Sequence, residues 1–165
     1  DSGYYPLMMT QNVPYKEYLK SKWWLVVVGT LVSLPLASFY IFFSWESYFA
    51  IIAGGIYNIG VNAHMVLLSG AYTRTPIDLN SMQRAFGDKK SFNVKTLLLS
   101  IPKILLPMFI FYIGVLVHSK LMGFVLIGIV GILGFALRNL VFGWIEKVYQ
   151  EEKYDTLAAY KQKNT

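Results

Sequence analysis

The sequence contains no cysteine. That excludes disulfides, thiolate metal sites and cysteine nucleophiles. Charge is also scarce: charged residues make up 15% of the chain and hydrophobic residues 55%, against about a quarter charged in ordinary soluble domains. The charges are clustered, so long apolar stretches carry almost none, and no Asp or Glu falls within them. Proton-coupled transport usually needs such a carboxylate at membrane depth. Catalytic patterns are missing as well: there is no HExxH metal helix, no GxSxG nucleophile elbow and no GxxxxGK(S/T) phosphate loop. The chain is therefore expected not to be an enzyme and to hold neither metal nor cofactor. Any ATP hydrolysis would belong to a partner.

What is present is apolar length. "WWLVVVGTLVSLPLASFYIFF", Trp23 to Phe43, carries no charge and as a helix would cross the roughly 30 Å hydrocarbon core of a bilayer. Pro35 inside it predicts a kink. A second stretch, Tyr48 to Tyr72, follows after "SWES", Ser44 to Ser47. A third, Leu97 to Val117, contains Lys103, Pro102 and Pro107. The fourth starts at Leu121 after the link "HSK" and is read to about residue 142, although Arg138 interrupts it. The expectation is an all-α, polytopic membrane helix bundle in one domain, 1–165. It has four transmembrane helices in two hairpins, about 23–43 with 48–72 and 97–117 with 121–142.

Segments 1–22, 73–96 and 146–165 then share one side. Counting Lys103 and Arg138 with their nearer ends, every Lys and Arg except Lys120 lies on that side. Such a bias marks the cytoplasmic face, and it explains the net charge of +6 without nucleic acid, for which no compact basic domain exists. The bilayer is the expected partner, with both ends of this segment cytoplasmic.

After Pro14, residues Tyr15, Tyr18, Leu19 and Trp23 fall on one helical face, with Lys16 and Lys20 elsewhere. This predicts an amphipathic helix lying at the membrane surface, lysines toward anionic headgroups. It either anchors the first span or docks a cytoplasmic partner. The central "TRTPIDLNSMQRAFGDKKSFNVK" predicts a short helix from Pro76 and a turn at "GDKKS". The tail is expected to continue the fourth helix, with Trp144, Val148 and Tyr149 as an interfacial stripe.

Within the spans, Asn58 and Asn62 share a face with Gly54, Ser69 follows a heptad later, and His64 stands well round the helix. These groups either bond between helices or line a polar path. Lys103 either snorkels to the interface or is a functional charge inside the span. Gly123, Gly128, Gly131 and Gly134 predict close helix packing.

"YYPLMMTQNVPYKEYLKSKWW" resembles the cytoplasmic segment that precedes a membrane span in ABC-2-type exporter permeases. Leu7, Thr10, the inverted Val13–Pro14 pair, Tyr15, Leu19 and Lys22 carry the likeness. Over nearly its whole length, through "NIGVNAHMVLLSGAYTRTPIDLN" and "EKYDTLAAYKQKN", the chain resembles an ABC-2-permease-like multi-pass family of Bacteroidota. The resemblance implies longer family members, of which this chain would be the C-terminal portion, in the bacterial inner membrane. It also implies an ATPase subunit, the N-terminal half of the same protein, or both as partners, within an oligomer. Tyr15, Lys16, Tyr18, Lys20 and Lys22 would then form the coupling surface. A non-transporting membrane scaffold is the alternative. An intramembrane enzyme would rest on His64 alone.

Overall fold

A chain with apolar runs of this length can satisfy its backbone N–H and C=O groups in hydrocarbon by forming helices. The computed structural model of the chain is all-helical: it describes residues 14–72, 94–154 and 158, with no strand among them. Segment 73–93, residues 1–13 and most of the tail beyond 154 lie outside the described residues, and with them the helix expected from Pro76.

Helix α1 is Tyr15–Ala37. It starts at Pro14, whose carbonyl accepts from the N–H groups of Glu17 (3.1 Å) and Tyr18 (3.3 Å). Pro35, which has no N–H to give, sits in the last turn, and the chain continues as a 3₁₀ turn, Ser38–Phe42. The separate surface helix expected before Trp23 does not form. Residues 15–22 run unbroken into the apolar helix, and the stripe Leu19, Trp23, Val27, Thr30 is buried against protein.

The second long helix begins earlier than the apolar run. Ser44 caps it, its Oγ accepting from the Ser47 N–H at 3.4 Å. Trp45, Glu46 and Ser47 are thus its first turn rather than a link, with Glu46 favourably placed at the positive end of the helix dipole. Helix α2 is Trp45–Tyr57, followed without interruption by a π turn, Asn58–Asn62, and by α3, Ala63–Tyr72. The Ala63 N–H bonds to the Asn58 carbonyl five residues back, which defines the wider turn. Helix α4 is Val94–Val117. Helix α5, Lys120–Ala136, is capped by Ser119, whose Oγ accepts from the Met122 N–H at 3.3 Å.

Among the described residues, three helices are long and apolar enough to cross a membrane: Tyr15–Phe42, Trp45–Tyr72 and Ser100–Val117. The fourth apolar stretch departs from the continuous span expected over 121–142. It breaks at Leu137, and α6, Arg138–Glu151, leaves α5 at 67°. The turn lets the stripe Phe142, Ile145, Val148, Tyr149 fold onto α1 and α3. Val148 and Tyr149 are therefore core residues, while Trp144 stays exposed; the three do not form one interfacial stripe.

Two packing modes hold the helices. At the lysine-bearing end of α1, a core of large side chains joins α1, α3 and α6, with Leu19 and Ile145 fully enclosed. Elsewhere α5 crosses the π turn backbone to backbone. A Cβ on Gly60 would collide with the Gly131 carbonyl, one on Gly131 would lie 2.7 Å from the Tyr57 nitrogen, and one on Gly134 would lie 2.5 Å from the Gly60 oxygen. Gly114 and Gly123 make a similar contact between α4 and α5. The outer faces carry bare apolar side chains such as Leu25, Leu36, Phe42 and Leu116, a surface suited to hydrocarbon rather than water.

Candidate functional site

Thr30 closes the buried stripe of α1, and its hydroxyl hydrogen goes to the Val26 carbonyl at 2.8 Å. That leaves its oxygen to accept from Asn58 Nδ2 at 2.7 Å. Asn58 Oδ1 in turn accepts from Asn62 Nδ2 at 2.6 Å. A hydrogen-bonded chain thus ties α1 to the π turn. Such wide turns recur at functional sites because they redirect side chains and loosen the local backbone ladder.

This chain forms one wall of a groove of about 490 Å³, whose lining includes Tyr57, Lys103, Pro107 and Phe124. Tyr57 Oη and Asn62 Oδ1 are buried polar atoms with no hydrogen-bond partner among the described residues. Lys103 is half-buried. Pro107 stands one turn on and has no N–H, so the Lys103 carbonyl loses its usual helical donor. The groove therefore gathers a cation, amides, a phenol and a loosened backbone within largely apolar walls.

The sequence-predicted polar residues separate into two places. Asn58, Asn62 and Lys103 meet at the groove. His64 does not: it is 5% exposed, its Nδ1–H donates to the Gly60 carbonyl at 2.8 Å, and its ring lies 5.2 Å from Phe142 and 6.2 Å from Trp23. It is a core histidine locked by its own helix. Ser69 is likewise buried, with its hydroxyl on the Met65 carbonyl at 2.6 Å.

Residues 1–163 match a family of unknown function, DUF5687. The chain belongs to that family. No curated protein matches it and no solved structure does.

The lysine end of this DUF5687 member divides the five residues expected to couple to a partner. Tyr15 and Tyr18 are half-buried and turn their rings toward Tyr149, at 6.0 and 6.3 Å. Lys22 is half-buried with its ammonium 4.9 Å from the Tyr18 ring. Lys16 and Lys20 are exposed. Tyr149 also donates from its hydroxyl to the Leu67 carbonyl at 3.0 Å, so the tyrosine cluster secures α1 and α6 to α3.

Thr30 and Tyr57 were not singled out from the sequence. Extending the Leu19, Trp23, Val27 stripe by one step reaches Thr30. Nothing in the local pattern marks Tyr57.

Proposed function

We propose that this chain is a membrane permease subunit of an ATP-driven, ABC-2-like exporter, coupled to a separate ATPase subunit. In this reading the bent pair α5–α6 counts as the fourth span, the spans form two hairpins, and the lysine-rich side is the cytoplasmic face of a bacterial inner membrane. The subunit works in an oligomer or with an N-terminal half of the same protein.

The observation that carries the reading is the polar groove among otherwise apolar helices. Polar groups at membrane depth are costly and commonly mark a substrate path. The continuity of α1 adds the mechanical link. Lys20 and Thr30 lie on one unbroken helix, about 15 Å apart along its axis at 1.5 Å per residue. A pull on the lysine end by a closing ATPase dimer would thus reach the groove wall directly. The helices flanking the groove would then rock between inward- and outward-facing states.

The test is mass spectrometry of the natively expressed protein, purified in mild detergent with what it binds. A Walker-motif ATPase in fixed ratio is expected. Its loss with Lys16→Ala, Lys20→Ala and Lys22→Ala combined is expected too, in a variant that still inserts. Other membrane proteins in fixed ratio with no ATPase would favour a scaffold, the reading supported by the glycine contacts that hold α5 against the π turn.

A further inference from the structure

A second cavity, of about 410 Å³, opens where the break at Leu137 brings the start of α6 beside the lysine-bearing turns of α1. Lys16 and Lys20 line it from α1, and Arg138 and Asn139 from α6, with Trp23 and Trp24 as walls. Among the described residues, no acidic side chain lines it. Arg138 is half-buried, its guanidinium 4.5 Å from the Phe135 ring and 5.8 Å from that of Trp23. It thus packs on aromatic rings, with no carboxylate partner among the described residues. Trp23 is 3% exposed, and its indole Nε1–H meets no acceptor among the described residues.

Three cations and an amide converge on one pocket against indole rings, at the end of a helix whose next turns are apolar. That chemistry suits a phosphate group, and its position suits one attached to a lipid. Guanidinium and ammonium groups donate charge-assisted hydrogen bonds to phosphate oxygens. Tryptophan belongs at the depth where headgroup meets acyl chain. Trp24, exposed on α1 just before Leu25 and Val28, leads from the charged pocket onto the bare apolar face where acyl chains would lie.

We infer that the cavity between α1 and α6 is a binding site for the phosphate headgroup of an anionic phospholipid, held by Arg138, Lys16 and Lys20. The site does not rest on the permease reading, and its test needs no ATPase or transported substrate.

The test is native mass spectrometry of the full chain in a neutral detergent, titrated with phosphatidylglycerol, phosphatidylcholine or soluble glycerol phosphate. Phosphatidylglycerol is expected to bind more tightly than phosphatidylcholine. Each of Lys16→Gln and Lys20→Gln should weaken it about fivefold, the loss expected for one cation near an anionic lipid. Arg138→Gln should weaken it further, and Lys103→Gln, in the other cavity, should not. The two lysines are exposed and outside the core, so their variants report on the site even if Arg138→Gln fails to fold. Equal binding of both lipids, or unchanged preference in the lysine variants, would overturn the inference. Glycerol phosphate binding as tightly as phosphatidylglycerol would replace the lipid by a soluble phosphate and overturn it equally.

Discussion

The two ends of the bundle are built differently. At the lysine end, α1, α3 and α6 meet through large side chains: Leu19, Trp23, Phe142, Ile145 and Tyr149 share one core, with Trp23 and Phe142 against His64. Around the groove, the π turn and α5 meet through glycines, backbone against backbone. In hydrocarbon there is no hydrophobic gain in bringing helices together, so close van der Waals contact of small residues must supply the attraction. The amphipathic α6 can bury an apolar stripe and keep a polar face, as in a soluble domain. The difference shows where polar groups can be stored. The side-chain core buries His64, whereas the glycine crossing leaves room beside it for the groove.

The sharpest way to break this comparison is at Gly60. A side chain there has no space, because the Gly131 carbonyl occupies it. Gly60→Val should cost about 3 kcal/mol or more by overpacking, read as a lost or strongly lowered Tm in detergent. Gly128, on the same helix as Gly131, has nothing within 4 Å of an added Cβ. Gly128→Ala should change stability by less than about 1 kcal/mol. Equal effects at the two positions would remove the argument that α5 is held by backbone contact.

Next comes the side-chain core. Ile145→Ala truncates one of its two largest fully enclosed side chains and should cost about 2–5 kcal/mol. Trp144→Ala, one residue earlier but 57% exposed, should cost far less. Had α6 continued α5 outward as the sequence suggested, the two substitutions would resemble each other. Thermal unfolding of both variants measures this.

The helical class and most apolar lengths were legible because hydrocarbon thickness and backbone satisfaction leave few options. The periodicity of Tyr15, Tyr18, Leu19 and Trp23 was legible too, but not what it faces. One stripe serves a bilayer or a neighbouring helix equally well, and the partner, α6, lies more than a hundred residues away in sequence. The bend at Leu137 was hidden for the same reason, since Arg138 in an apolar run marks an interruption without its direction. Gly131 and Gly134 were found as packing residues, yet spacing alone could not distinguish them from Gly128, where an added Cβ would meet nothing within 4 Å. The Asn58, Asn62 pair was visible at i, i+4. Its meeting with Lys103 depends on how α4 packs, which no local pattern encodes.

The smallest effects separate structure from use at the groove. Tyr149→Phe removes the hydroxyl bond to the Leu67 carbonyl and should cost about 1 kcal/mol without touching the groove. Asn58→Leu removes both the bond to Thr30 and the acceptor for Asn62. Bonds of this kind between membrane helices average about 0.6 kcal/mol each, so losing both should cost about as much as Tyr149→Phe. If the groove is a substrate path, however, Asn58→Leu should lower nucleotide-dependent flux in proteoliposomes reconstituted with the ATPase partner, while Tyr149→Phe leaves it near normal. If the asparagines serve packing alone, flux in the two variants should track stability, and the Tyr149 variant should be no better. Measuring flux and Tm on the same preparations decides between these, because only a functional role lets one of two comparably destabilising substitutions do far the greater damage.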